Sequence, residues 1–551
     1  MNCIFLMIFQ FNFIMKSILP GLLLVSMIFQ LSAQSSPFNI QLEPVTIPNV
    51  GGLQAYAFGQ HNGKWLIFGG RLDGLHRRQP FASFDVAGHN NQILVIDPVS
   101  KQKWSAPLTA LPIPMQEQLS STNMEFIQEG NYLYLLGGYG YSNTEGDHVT
   151  YDKLTAVNVP AVIDAIVQGT AFAQYFRQIT DAQFAVTGGH LTKIYDTYYL
   201  VGGQRFDGVY NPMGPTHGPG FVQQYTDQIR KFKIVDNGSS LLINHLPSIT
   251  DTDQLHRRDY NVAPQIMPNG QEGATAFSGV FQKTVDLPYL NCVNIDSAGY
   301  AVNNAFSQYY NHYHCAFLPL YSASANEMHT VFFGGIAQFY DNQGVLVQDN
   351  NVPFVKTIAR VTRDASGTMM EYKLPVEMPG LLGASSEFIP ITSLPAYNNE
   401  VIKLDELSAD STLVGYIYGG IASTAANIFW INTGTESNAS SGIYKVYVVK
   451  KAASAVHELN VQSTGTLHMQ VFPNPNNGVF GVKFQLPKVT NVWLSISDQN
   501  GKIIEREALK NLFPGENIVT RKLGKVAVGK AYLVTLETAT ERATVKTILQ
   551  E

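Results

Sequence analysis

Trp65-Leu66-Ile67-Phe68-Gly69-Gly70 is a short apolar run that ends in a pair of glycines, and the same motif occurs four more times along the chain. A run of this kind predicts a buried strand that ends abruptly, because glycine takes a positive φ without penalty and lets a second backbone approach closely. Five copies predict a repeat architecture with structural glycines. The later copies close with Gly137-Gly138, Gly202-Gly203, Gly334-Gly335 and Gly419-Gly420.

The spacing of the motif predicts how many copies there are. The second glycines stand at positions 70, 138, 203, 335 and 420, which gives intervals of 68, 65, 132 and 85. Because 132 is twice 66, one copy is expected in the third interval, and residues 274–279 hold a degenerate one with Ser278 in place of the first glycine. Each copy is followed by a segment with period-two alternation, which is typical of a half-buried strand. The count is therefore six.

The strand that ends in Gly-Gly resembles the kelch repeat, whose fold is a β-propeller. The resemblance covers residues 35–452 and implies an all-β protein with a six-bladed kelch-type propeller. Residues 38–452 are 415 positions, or about 69 per blade, so long loops are expected between the strands. The alternative is a β-sandwich with scattered glycines, but sandwiches do not repeat at this interval.

Composition agrees with short strands and turns. Of 551 residues, 14% are charged and 11% aromatic, with 46 glycines and 27 prolines. The formal net charge is −6 and there is no basic tract, which argues against nucleic acid as a partner. The chain contains no Gly-x-Ser-x-Gly, no His-Glu-x-x-His and no phosphate-binding glycine loop, so we expect no cofactor and leave open whether the protein is an enzyme.

The first 33 residues have the pattern of a secretory signal. Lys16 precedes an apolar stretch over residues 18–31, and Ala33 is the small residue that cleavage before Gln34 requires. Met15 is a more ordinary start for such a signal. The alternative is a membrane anchor, but no stop-transfer flank follows, so we expect no transmembrane segment in the mature protein. Cys292 and Cys315 then remain, and we expect two buried thiols rather than a disulfide.

The loops after the glycine pairs are where a propeller would carry a binding site, because a rigid scaffold holds them. A Leu-His-Arg-Arg string occurs twice, at residues 75–78 and 255–258. Clustered arginines could bind a carboxylate or phosphate through two parallel hydrogen bonds. The alternative is that they form salt bridges between neighbouring blades. The candidate ligand-binding residues are Arg71, His76, Arg77, Arg205, His217, His256 and Arg257.

His312 and His314 are the candidate metal ligands. On a strand, residues two apart point to the same face, as a copper or zinc site would need. A copper oxidase of the galactose-oxidase type also uses a kelch propeller with Tyr and His ligands, but only residue types in one short stretch resemble it here. Hydrogen-bonded structural histidines are the favoured interpretation.

The chain changes character after a polar linker at residues 453–466. Residues 467–551 show alternating strands and Asx or Gly turns, which predict a small immunoglobulin-like β-sandwich. This region resembles the type A C-terminal sorting domain of the type IX (Por) secretion system of Bacteroidetes. Three motifs carry the resemblance: Pro473-Asn474-Pro475 with Gly478, Asp498…Gly501-Lys502, and a terminal Gly-Lys-Ala-Tyr strand. The last motif has one residue more than the family's Gly-x-Tyr. The resemblance implies passage through the periplasm and outer membrane, with the type IX machinery as partner, and later removal of the domain.

Three classes of function remain open. A secreted or cell-surface protein that binds a glycan or another protein is favoured, because no catalytic motif is present. A carbohydrate enzyme is the alternative, since some six-bladed kelch proteins are epimerases or mutarotases. A copper oxidase ranks third.

Overall fold

The computed structural model describes residues 37–78, 82–211, 220–342, 345–450, 459–460, 467–474, 476–486, 490–498, 502–512, 514–523, 531–538 and 542–549. Within these ranges the regular structure is strands, two α-helices and a few three-residue 3-10 helices. The predicted all-β class is therefore confirmed. The predicted signal peptide, His217, Pro475 and most of the predicted linker lie outside the described residues.

Strand β1 (Asn39–Val45) is followed by antiparallel sheets built in chain order. The first sheet consists of β2 (Ala57–His61), β3 (Lys64–Phe68), β4 (Gln92–Asp97) and β5 (Gln102–Pro107). Helix α1 (Ile113–Leu119) leads to the second sheet. That sheet consists of β6 (Thr122–Glu129), β7 (Tyr132–Ser142), β8 (Asp147–Thr150), β9 (Lys153–Asn158) and β10 (Phe176–Thr180), with helix α2 (Val159–Gln168) between the last two.

The third and fourth sheets repeat this order. The third has β11 (His190–Ile194), β12 (Thr197–Val201), β15 (Gln228–Asp236) and β16 (Leu241–Thr250), and its long loop forms the hairpin β13 (Gln204–Gly208) and β14 (Phe221–Tyr225). The fourth has β17 (Asn261–Ile266), β18 (Glu272–Phe277), β19 (Cys292–Ile295) and β20 (Tyr300–Asn303).

The fifth and sixth sheets carry short additional strands. The fifth has β21 (Phe317–Ser322), β22 (Glu327–Ile336), β25 (Phe354–Arg363) and β26 (Met369–Glu377), with β23 (Phe339–Asn342) and β24 (Val345–Gln348) as a loop hairpin. The sixth has β27 (Leu381–Pro390), β29 (Ser411–Ser423) and β31 (Ile443–Val449). The short strands β28 (Ile402–Lys403), β30 (Ser437–Ala439) and β32 (Leu459–Asn460) pair with β21, β29 and β26.

The fourth strand of the sixth sheet comes from the other end of this region. Strand β1 pairs antiparallel with β31, from Asn39 opposite Val449 to Val45 opposite Ile443. The sixth sheet also packs on the first, because the rings of Trp65 and Tyr416 lie 5.2 Å apart and edge-on. From the first sheet to the sixth, the first strand of each sheet contacts the first strand of the next. The first strands therefore surround a common centre.

The glycine pairs have the geometry that the sequence predicts. All ten glycines have φ between 59° and 91°, and in the degenerate copy Ser278 and Gly279 have φ of 51° and 105°. At Gly137 a Cβ atom would lie 2.0 Å from the Val186 carbonyl oxygen of the next sheet. The pairs are thus needed both for the left-handed backbone and for close approach between sheets.

Both remaining cysteines are buried free thiols, which confirms the prediction. Burial raises the pKa of Cys292 and of Cys315 to about 12. Thiols with a pKa this high are weak nucleophiles at neutral pH, so their role is packing. No helix in the described part of the chain has the length and apolar composition needed to cross a membrane.

The C-terminal region forms two antiparallel sheets. One consists of β33 (Gln470–Phe472), β34 (Val479–Leu486) and β37 (Gly515–Lys522), and the other of β35 (Thr490–Asp498), β36 (Ile503–Leu512), β38 (Ala531–Glu537) and β39 (Arg542–Ile548). Alternate residues such as Phe480, Leu494 and Val534 form one core. Asn474 from the predicted sorting motif binds the last strand, because its Oδ1 accepts from the Ile548 N–H at 2.9 Å.

Candidate functional site: a central cavity and its aromatic mouth

A cavity of about 580 Å³ lies at the centre of the six sheets. Most of its walls come from the first strand of each sheet or from the residues just before that strand, and Gly130, Tyr195, Glu272 and residues 398–402 also contribute to them. Because first strands from all six sheets meet here, residues far apart in the chain face one space. The polar and titratable lining residues include Tyr56, Glu125, His190, Asp259, His314 and Glu387.

Glu125 is a buried acid in this cavity. Its side chain is 4% exposed, and its Oε1 accepts a hydrogen bond of 2.8 Å from the Gly189 N–H. Burial raises the pKa of Glu125 to about 8; the Gly189 hydrogen bond opposes this, and the charges of Asp259 and Glu387 add to it. At neutral pH the carboxyl is therefore mostly protonated and can donate a proton or a hydrogen bond.

His314 and Glu387 form an ion pair in the same cavity, with His314 Nε2 3.0 Å from Glu387 Oε1. Burial alone would lower the pKa of His314, but the attraction and hydrogen bond of Glu387 outweigh burial and raise it. The ring of His190 lies edge-on 5.4 Å from that of His314, and its Nε2 donates to the Tyr260 carbonyl oxygen at 2.5 Å. Burial and the His314 charge lower the pKa of His190 to about 3, so this imidazole is neutral.

The loops that follow the glycine pairs meet near one end of the cavity. Asp259 lines the cavity and forms an ion pair with Arg258, whose Nε donates to the Tyr225 hydroxyl at 2.9 Å. His76 of the first sheet's loop lies edge-on to Tyr210 of the third sheet's loop, with ring centroids 4.7 Å apart. Burial lowers the pKa of His76 to about 4. This group of loop side chains (His76, Tyr210, Tyr225 and Arg258) is called the aromatic mouth below.

The sequence-predicted arginines lie in different surroundings. Arg71 is buried and donates from Nε to Asp73 Oδ1 at 2.7 Å within its own loop. Arg257 is 1% exposed, donates to the Gln254 carbonyl oxygen at 2.7 Å and lies 4.0 Å from the ring centroid of Tyr289. In the second Leu-His-Arg-Arg string it is thus Arg258, not Arg257, that reaches the mouth.

The remaining candidates are spread over the same side of the molecule. His76 is part of the mouth, and His256 stacks on Tyr225 with ring centroids 3.7 Å apart while its Nδ1 lies 2.7 Å from Asp227 Oδ1. Arg205 is exposed and pairs with Asp207 at 2.6 Å. Arg77 is exposed in the same loop as His76.

The prediction that His312 and His314 share one face of a strand is wrong. Strand β21 begins only at Phe317, and Asn311 has φ of 55°, so the segment turns before the strand starts. Both nitrogens of the buried His312 are engaged: Nδ1 accepts from the Gln338 N–H at 2.9 Å, and Nε2 donates to the Gln308 carbonyl oxygen at 2.9 Å. Within the described ranges no three His, Cys, Asp or Glu side chains are grouped as a metal site would need.

Sequence reasoning missed Glu125, His190, Arg258, Asp259 and Glu387 as site residues. For two of them a pattern was available: Glu125 and His190 each stand 13 residues before the second glycine of their copy, at 138 and 203. A polar residue recurring at one place in an apolar inner strand indicates a lining position. The others have no such regular spacing.

Residues 470–550 match the family model of the secretion system C-terminal sorting domain. This domain indicates export through the type IX system to the cell surface or the medium, with that machinery as partner. No curated protein matches the sequence.

Two solved structures illustrate the likeness to known folds. "Structure of YjhT" is 10% identical, with 74% of this chain and 99% of that chain covered and a TM-score of 0.38. A glycoside hydrolase family 43 arabinoxylan arabinofuranohydrolase from Bacillus subtilis, solved with cellotetraose, is also 10% identical, with 91% and 96% covered and a TM-score of 0.27. Likenesses of this degree decide neither the fold nor the function.

Proposed function

We propose that this chain is an exported carbohydrate-binding protein that holds its ligand in the central cavity. In this proposal the six sheets are the blades of a closed, six-bladed kelch-type propeller over residues 35–452, and residues 467–551 are an immunoglobulin-like sorting sandwich that is removed after export. The sheet order, the glycine pairs and the β1–β31 pairing support the propeller.

The composition of the cavity walls carries the proposal. Aromatic rings such as Phe126, Phe317 and Phe388 line it together with the carboxyl groups of Glu125 and Glu387. A sugar ring needs both kinds of surface, because its C–H faces are apolar and its hydroxyls require hydrogen-bonding partners. A cavity of about 580 Å³ has the volume of an ordinary small-molecule site.

A glycan array probed with the purified full chain tests this proposal, beside Glu387→Gln and a control, Glu43→Gln. Glu43 is a matched choice because it is also a paired carboxylate, bound to Lys445 at 2.8 Å, but lies on the edge strand β1. We expect binding that Glu387→Gln weakens at least about tenfold and Glu43→Gln leaves unchanged. Binding that survives Glu387→Gln would place the ligand elsewhere, and no binding at all would favour a protein partner.

A carbohydrate enzyme of the epimerase or mutarotase kind is the second candidate. One observation favours it: a protonated Glu125 and the His314–Glu387 pair share one cavity. Groups held in different protonation states can act as acid and base on one substrate. Exchange between sugar anomers, measured by NMR with and without the protein, separates a catalyst from a binding protein. We do not propose a copper site, because both nitrogens of His312 are hydrogen-bonded within the protein.

A further inference from the structure

The loop pair at the rim of the aromatic mouth carries an unusual exposed side chain. Trp430 is 52% exposed, although burial of so large an aromatic would stabilise the fold. The loop that bears it, residues 428–434, lies against residues 75–78 of the first sheet's loop. An exposed tryptophan on a loop that is held by its neighbours is a candidate contact for a ligand.

The indole of Trp430 is held in place from two sides. The Arg78 guanidinium lies 4.7 Å from the ring centroid, and Arg78 Nη1 donates to the Trp430 carbonyl oxygen at 2.9 Å. Phe429 packs edge-on at 4.9 Å. A ring fixed in this way loses little conformational freedom when a ligand stacks on it, which favours binding.

The two loops are joined by hydrogen bonds from a buried side chain. Asn432 is 0% exposed, and its Nδ2 donates to the carbonyl oxygens of Leu75 at 2.7 Å and His76 at 2.9 Å. The rim is therefore a built surface rather than two independent loops. It is also continuous with the mouth, since Phe429 lies edge-on to His76 with ring centroids 5.4 Å apart.

The exposed guanidinium of Arg77 lies beside this surface. Arg77 makes no ion pair among the described residues, and its guanidinium lies against Gly434, where a Cβ atom would be 2.6 Å from Arg77 Nε. The nearby carboxylate of Glu436 is used by its own turn, because it accepts from the backbone N–H groups of Thr433 at 2.8 Å and Gly434 at 3.2 Å. The planar guanidinium of Arg77 matches a carboxylate, which it can bind through two parallel hydrogen bonds.

We propose that the rim is a second carbohydrate subsite that takes an acidic sugar, with a uronate ring stacked on Trp430 and its carboxylate bound by Arg77. This inference rests on the proposed carbohydrate-binding function and adds to the cavity a second subsite, at the rim, for an acidic sugar. The partly positive C–H hydrogens of a pyranose face meet the negative face of the indole.

Calorimetric titration of the full chain with acidic hexasaccharides tests the inference. The probes are the hexasaccharides of polygalacturonate and hyaluronan, each beside its carboxyl-reduced counterpart. We expect the acidic form of at least one pair to bind about tenfold more tightly than its reduced form. Trp430→Ala should weaken binding of both forms about tenfold, whereas Arg77→Gln should remove only the preference for the acid.

Two control variants match these changes. Trp493 of the sorting region is 47% exposed and also lies under an arginine, with Arg506 5.0 Å from its ring centroid. Arg506 itself is 49% exposed and belongs to none of the proposed sites. Trp493→Ala and Arg506→Gln should both bind the hexasaccharides like the wild-type chain.

Each other result overturns one of the two proposals. Wild-type affinity in Trp430→Ala, an acid preference that survives Arg77→Gln, or no binding of any acidic hexasaccharide overturns the rim subsite. If Glu387→Gln alone lowers affinity, the cavity holds the sugar without the rim, and the proposed function stands while this inference fails. If Trp430→Ala and Arg77→Gln lower it and Glu387→Gln does not, the rim subsite stands and the cavity proposal fails.

Discussion

The Glu125→Gln variant should become more stable relative to the wild-type protein as pH rises. Burial raises the pKa of this carboxyl from 4.5 to about 8. Between those values the folded state keeps a proton that the unfolded state has lost, so the unfolding free energy falls as pH rises. The slope is about 1.4 kcal/mol per pH unit, which amounts to about 2.5 kcal/mol between pH 5 and pH 7. Gln keeps the size of the side chain and cannot ionise, so the variant lacks this loss.

Urea unfolding at pH 5, 6 and 7, followed by tryptophan fluorescence, measures the difference. Glu129→Gln is the matched control, since Glu129 lies on the same strand and also lines the cavity. Burial would raise the pKa of Glu129, but hydrogen bonds from Lys193 and Tyr198 outweigh it and lower the pKa. Its stabilising contribution is complete above pH 4.5, so we expect a pH-independent difference between the control and the wild type in this range.

An equal difference between wild type and Glu125→Gln at pH 5 and at pH 7 would refute the buried, protonated state of Glu125. Such a result would mean that the carboxyl is hydrated and ionised in the folded protein, and the cavity would then lack the proton donor that the second candidate function requires. A difference that grows with pH and is absent from the control would support the buried, protonated acid.

Three further changes give separate expectations. Gly137→Ala should lower the unfolding free energy by more than about 2 kcal/mol in urea titrations, because φ is 61° and the new Cβ would lie 2.0 Å from a carbonyl oxygen. Gly146→Ala is the control: φ is 71°, no atom lies within reach of the new Cβ, and the loss should be about 1 kcal/mol. Glu387→Gln should lower the unfolding free energy most below about pH 6.5, where His314 is an imidazolium in the wild type. The loss should shrink as pH rises through the raised folded-state pKa of His314, because the imidazolium is then absent from both proteins. An equal loss of unfolding free energy at pH 6 and pH 8 would contradict the ion pair. Arg257→Ala should lower the unfolding free energy by about 3 kcal/mol or more in thermal unfolding, because the buried Ser278 carbonyl oxygen then loses its arginine donor. A loss within about 0.5 kcal/mol would show that Arg257 is not a structural residue.

The repeat was readable from the sequence because its physical cause is local. A positive φ at Gly70 or Gly138 depends on the residue itself, and even the degenerate Ser278 keeps the left-handed conformation. The residues that line the central cavity could not be predicted in this way, because Glu125 and Glu387 are brought together by the arrangement of whole sheets. Even consecutive residues have different surroundings: the side chain of Arg257 is buried, whereas that of Arg258 reaches the aromatic mouth.

Because the chain is synthesised from its N-terminus, the pairing of β1 with β31 fixes when the sixth sheet can be completed. Residues 39–45 find their partner only when residues 443–449 have been synthesised, and until then the backbone hydrogen-bonding groups of β1 are open to pairing with other chains. Because the sorting region at 470–550 comes after β31, a chain cut short before its last sheet also lacks the segment that the export machinery recognises. The order of these segments along the polypeptide thus makes the presence of the sorting region depend on prior synthesis of the whole sixth sheet.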